Sequence, residues 1–164
     1  MTHPDTLAPT PMDQLAESIA QIDQHFQQWA RDQGIPFTTL AVLHTISQHG
    51  HCTQAQVCKT WLLPKQTVSS ICRQLLTQGH VQLDQGSTDR REKTLSFTPA
   101  GAQWARPIVA ALEQLEHRVF ARMGEADSQQ LLALLLRFNR LLAEAVDEDR
   151  QAGTQTMRQT PARR

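Results

Sequence analysis

Apolar residues near the start of the chain recur at steps of three and four. Met12, Leu15, Ile19, Ile22, Phe26 and Trp29 make one stripe, which predicts an amphipathic helix over about 12–31, ended by Gly34 and Pro36. Leu40, Val42, Leu43 and Ile46 predict a second helix over 38–49, stopped at Gly50. Thr53 followed by Gln56 fits a capping box, so a short third helix starts there and carries Val57 and Trp61. Pro64 opens a fourth helix over 65–77. Its buried face is Val68, Ile71, Cys72 and Leu75, and Gly79 ends it.

The period then falls to two. His80-Val81-Gln82-Leu83-Asp84 and Thr94-Leu95-Ser96-Phe97 alternate polar with apolar, which predicts an antiparallel hairpin around the polar loop Gln85 to Glu92. Thr98-Pro99 reads as a helix opening, with threonine as cap and proline at the first helical position. That helix runs to about Met123 with Ala105, Ile108, Val109, Leu112, Leu115, Val119 and Phe120 inward, and Gly124 breaks it. A last helix over about 127–148 holds Leu131, Leu132, Leu134, Leu135, Leu136, Phe138, Leu141 and Leu142, on more than one face. Such a helix is either central to a core or shared between its own protomer and a partner.

Composition narrows the class. Hydrophobic residues make up 40% of the 164-residue chain and aromatics 5%, with no tyrosine, so the core is mainly aliphatic. No run of eighteen apolar residues exists to span a membrane. The stretch Met1 to Pro11 is polar and proline-rich, without the order of a secretory signal. The three cysteines, Cys52, Cys58 and Cys72, are odd in number and lack CxxC spacing, which predicts a reducing, cytoplasmic setting. There is no glycine-rich phosphate loop, no metal-ligand pair at helical spacing and no nucleophile beside a plausible base, so no enzyme is expected.

The formal net charge is zero, but it is unevenly spread. Residues 1–50 carry a net −4, 51–100 a net +3, 101–150 a net −2, and 151–164 a net +3. Cations therefore gather in the hairpin-containing segment and the tail, and local potential decides where a polyanion binds.

Three helices and a hairpin in about sixty residues are the order of a winged helix-turn-helix, here from roughly Phe37 to Gly101. The outer face of the fourth helix offers Lys65, Gln66, Thr67, Ser69, Ser70 and Arg73, side chains that hydrogen-bond base edges and phosphates in a major groove. The loop offers Arg90 and Arg91, with Lys93 just beyond, placed to reach an adjacent minor groove.

The stretch Pro64-Lys65-Gln66-Thr67-Val68-Ser69, leading to Leu75 and Gly79-His80-Val81, resembles the MarR family of transcription regulators. So does Ser87-Thr88-Asp89-Arg90-Arg91-Glu92-Lys93, then Leu95 and Phe97-Thr98-Pro99-Ala100-Gly101. It looks like the family's wing signature, an Asp-x-Arg element before a strand and a Thr-x-x-Gly helix opening. The resemblance implies a mainly α fold with a small antiparallel β-hairpin wing, and N- and C-terminal helices that make a homodimer. The expected division is a flexible N-terminus (1–11), an N-terminal dimerisation helix (12–36), the winged helix-turn-helix (37–98), C-terminal dimerisation helices (99–150) and a disordered basic tail (151–164). It also implies a repressor of transcription that binds a pseudo-palindromic double-stranded operator, with Arg91 in the minor groove oriented by Asp89. Leu83-Asp84 and Glu92 depart from the family's usual basic residues, which predicts fewer released counterions and a shallow salt dependence.

Members of the family commonly answer to small molecules, often aromatic acids, held between the dimer helices and the winged domain. The residues here with suitable chemistry are Phe26, Trp29, His44, Trp104 and Arg106. The family's oxidant-sensing branch carries its reactive cysteine in the first helix, where this chain has none; the thiol best placed for such a role is Cys52, at a helix start. His49-Gly50-His51-Cys52 offers three ligands in four residues, but zinc needs a fourth and none is apparent, so no metal is expected, nor any cofactor. A winged-helix protein–protein adaptor is the alternative from another class, opposed by the Asp89-x-Arg91 wing.

Overall fold

The computed structural model describes residues 8–85 and 93–159. Its element order is α1 (Pro11–Asp32), α2 (Phe37–His49), α3 (Gln54–Trp61), α4 (Lys65–Thr77), β1 (Val81–Gln85), β2 (Lys93–Phe97), α5 (Pro99–Met123) and α6 (Glu125–Gln159). The chain divides into two compact units, Met1–Leu112 and Glu113–Arg164.

Local signals account for most boundaries. Thr10 caps α1: its hydroxyl accepts from the Asp13 N–H at 3.1 Å, and its own N–H donates to the Asp13 carboxylate at 2.8 Å. The backbone N–H and then the hydroxyl of Thr10 hold the Asp13 carboxyl below the usual range. The cap of α3 is half of the predicted box, since Thr53 Oγ1 accepts from the Gln56 N–H at 3.1 Å. Thr98 caps α5 by accepting from the Gly101 N–H at 2.9 Å, with Pro99 first in the helix. β1 and β2 pair antiparallel, with Leu83 opposite Leu95.

The first unit has two clusters of buried residues on either side of α2. One lies beneath α4 and the hairpin: Ala41, Val42, Ile46, Cys52, Val57, Val68, Cys72, Leu75, Val81 and Leu95. The other joins Leu40 and Leu43 to Ala30, Ile35, Ala105, Ile108, Val109 and Leu112. Because both faces of α2 are covered, even its polar Thr45 is buried, and its hydroxyl is satisfied twice. It donates to the Ala41 carbonyl at 2.7 Å and accepts from Trp61 Nε1 at 3.0 Å. Gly101 is essential here for space, because a Cβ would overlap the His80 carbonyl. Pro107 lies within α5 on an exposed position, where the helix gives up one backbone hydrogen bond.

The second unit contains the end of α5 and all of α6. Sequence periodicity ends the last helix near Glu148, whereas α6 continues to Gln159. The aperiodic tail is helical at its start, up to Gln159. Val119 and Phe120, expected inward, are 54% and 44% exposed, and six α6 leucines are exposed as well.

Candidate nucleic-acid interface

α4 stands on the first cluster through Val68, Cys72 and Leu75, with Ile71 half-buried. Its opposite face is polar for that reason. Lys65, Gln66, Thr67, Ser70 and Arg73 are exposed and Ser69 is half-buried. Lys65, Ser69 and Arg73 follow one another at steps of four, so they stack along one line of the helix. Among the described residues, no hydrogen bond or ion pair occupies any of these six side chains.

Two grooves adjoin this line, both lined in part by Gln54 and Ala55 of α3. One, of about 430 Å³, is lined by Thr53, Gln54 and Ala55 at the start of α3, Ser69, Arg73 and Leu76 of α4, and Leu83, Lys93 and Leu95 of the hairpin. It places Lys93, at the base of the wing, on the same groove as Arg73. The other, also of about 430 Å³, is lined by Gln54, Ala55, Cys58 and Lys59 of α3 and by Lys65. Lys59 and the α3 start were not among the residues expected at this face. Lys59 was visible as one of the cations of the basic segment, but only the packing of α3 beside α4 brings it to Lys65. Asp84, at the end of β1, accepts from Gln82 Nε2 at 3.3 Å and from Ser96 Oγ across the hairpin. Asp89, Arg90 and Arg91 lie outside the described residues.

The five effector candidates do not all gather at one place. Phe26 and Trp29 pack on the second cluster. Trp104 packs against both clusters and stacks on His80 at 4.1 Å between ring centroids. His44 meets Trp61 edge-on at 5.4 Å, and Arg106 is exposed. Three of the five thus share a cluster, while His44 belongs to an aromatic group with Trp61 and Phe37. His80 Nδ1 is buried without a partner among the described residues.

Cys52 is placed differently from the expectation. It precedes the cap of α3, pairs through its backbone with Leu95 (N···O 2.9 and 2.7 Å) and is fully buried. Burial pushes its thiol up to about 12, and that of Cys72 to about 11, with a neighbouring cysteine as the lesser cause in each case. A protonated, enclosed thiol is a poor nucleophile, so this geometry argues against Cys52 as an oxidant sensor. His49 and His51 are exposed while Cys52 points into the core, and no group of three His, Cys, Asp or Glu forms a metal site among the described residues. No helix among them is long and apolar enough to cross a membrane.

A two-stranded wing, a helix-turn-helix with a cationic polar outer face and flanking helices define the winged-helix class of transcription regulators. A family model described as MarR family matches residues 33–92. A solved MarR family regulator from Neisseria meningitidis is 32% identical, with a TM-score of 0.75, over 85% of this chain and 99% of that one. The chain belongs to the MarR family. It is also similar to the HTH-type transcriptional repressor NicR of Pseudomonas putida, at 27% identity over 78% of this chain and 77% of that protein. The fold of Bordetella bronchiseptica BpsR, whose DNA binding is regulated by 6-hydroxynicotinic acid, matches at a TM-score of 0.62 and 20% identity. That match covers 84% of this chain and 98% of BpsR.

Proposed function

We propose that this MarR family regulator acts as a homodimeric repressor, with α4 in the major groove of a pseudo-palindromic operator. Arg90 and Arg91 of the wing would reach the minor groove, with Asp89 orienting Arg91. The observation that carries the reading is the unoccupied line Lys65–Ser69–Arg73, continued by Lys93 across one groove and by Lys59 beside another. Cations and short polar groups held out from a rigid helix suit phosphates and base edges. The exposed leucines of α6 support a partner chain, which would set two recognition helices at half-sites about 34 Å apart. The likeness to NicR supports repression, and that to BpsR supports a small aromatic acid as effector. Phe26, Trp29 and Trp104 supply flat apolar surface for such a ligand, and Arg106 a cation for its carboxylate.

The test is a mobility shift on the DNA flanking the chain's own gene, with the wild type, Arg73→Ala and Arg91→Ala. Each variant should keep its melting temperature and lose about tenfold in affinity, with a salt slope shallower by about one. Wild-type protein that shifts no DNA, or variants that bind as it does, would turn the reading toward a protein–protein adaptor.

A further inference from the structure

The turn between α3 and α4 holds Leu62 in the left-handed region, at φ 51° and ψ 36°. It is the one non-glycine residue with positive φ among those described. The residues on either side, Trp61 and Leu63, are tied inward and half-buried, and the exposed Pro64 follows. Trp61 donates to Thr45 and packs on Phe37 and His44, Leu63 packs against the first cluster, and Pro64 caps α4. Leu62 between them is 90% exposed, more than any other large apolar side chain described.

Two unfavourable features thus meet in one residue. Left-handed backbone disfavours side chains with a Cβ, and glycine would make the same turn freely. A leucine in water gains nothing from burial. Such a combination is the pattern of a residue held for contact with something else. Its position says what that is. Leu62 follows Lys59 and precedes Lys65, at the N-terminal end of α4, the end that recognition helices bring to base edges. In the major groove the apolar feature available to a leucine is the thymine 5-methyl group.

We propose that Leu62 is a specificity residue whose side chain packs on a thymine methyl at the edge of the site read by α4. The inference rests on the DNA-binding reading above. The probe is a duplex recovered by in vitro selection from a random library with the full chain, made once with thymine and once with deoxyuridine throughout. Wild type should prefer the thymine duplex by about fivefold, short of the tenfold that about 1.4 kcal/mol would give. Leu62→Gly should melt no lower than wild type, bind the thymine duplex about tenfold more weakly and treat the two duplexes alike. Leu62→Met should keep both the affinity and the preference. Should the glycine variant melt lower, the comparison is read in Leu62→Asn, since asparagine also tolerates the left-handed region. A variant binding the thymine duplex as tightly as wild type, or losing affinity while keeping the thymine preference, overturns the role of Leu62. Failure to recover any duplex, or an Arg73→Ala chain that binds as well as wild type, overturns the DNA-binding reading itself.

Discussion

Leucine meets opposite fates in the two units of this chain. In the winged-helix unit the helical residues Leu40, Leu43 and Leu112 are 0–1% exposed. In the unit Glu113–Arg164, Leu131, Leu132, Leu134, Leu136, Leu141 and Leu142 are 40–71% exposed. The residue type is the same and the helices are equally regular, so neither propensity nor hydrophobicity explains the contrast. What differs is the number of neighbouring elements. α2 has α1 and α5 on one side and α3, α4 and the hairpin on the other, so a helix apolar nearly all round is enclosed. α6 presents leucine on several faces within a unit that offers it far less to pack against. Apolar surface of that extent is what the partner chain of the proposed homodimer would cover.

The comparison can be broken most severely on α6. Leu134→Glu with Leu141→Glu, two turns apart, should weaken the proposed dimer by more than about a hundredfold in Kd, as two interface hot spots would. Sedimentation velocity reads this directly, and an unchanged species distribution would mean that these leucines are not at a shared interface. Next in size is Gly101→Ala in the other unit. The added methyl collides with the His80 backbone, where Thr98 N–H donates to the His80 carbonyl at 3.1 Å and Thr98 Oγ1 to that of Gly79 at 2.5 Å. A loss of about 3 kcal/mol is expected in urea unfolding, and a loss below about 0.5 would show that the junction yields.

A subtler trial compares truncations. Leu43→Ala should cost about 3 kcal/mol at every protein concentration, because its cavity lies inside one chain. Leu136→Ala should cost below about 0.5 kcal/mol once the protein is diluted to monomer, and more only while it is associated. Equal, concentration-independent losses would erase the distinction between the units. The smallest effect concerns the buried thiols. Both Cys52 and Cys72 have pKa values raised above the free thiol, so the folded chain binds more protons than the unfolded chain at alkaline pH. Stability from these groups is complete below pH 9 and is lost as pH climbs toward 11–12. Iodoacetamide at pH 8 should leave Cys52 unlabelled until the chain unfolds; rapid labelling of the native protein would count against a closed core.

Much of this molecule is legible residue by residue. The helix starts at Thr53 and Thr98, the stops at Gly50 and Gly79, the inward face Val68–Cys72–Leu75 and the pairing of two alternating strands follow from caps, turns and period. Those signals act over a few residues, where backbone hydrogen bonding and side-chain spacing decide the outcome. Less was legible where the outcome depended on residues far apart. Cys52 reads as a helix-start thiol, but its backbone pairs with Leu95 and its side chain is buried in the core. Of the aromatic candidates, Phe26, Trp29 and Trp104 pack against one cluster while His44 meets Trp61, a division that spacing along the chain does not record.

The sequence by itself determined which elements form, which face of each is apolar and that a basic segment includes the fourth helix, because each depends on local spacing. Only the tertiary structure decided which faces meet. It joined Arg73 to Lys93 along one groove, set Lys59 beside Lys65, pressed Gly101 against His80 and turned Leu62 outward while Trp61 and Leu63 were drawn in. Close packing is the physical reason. Each of those placements depends on whether distant side chains leave room, and no repeat along the chain records that.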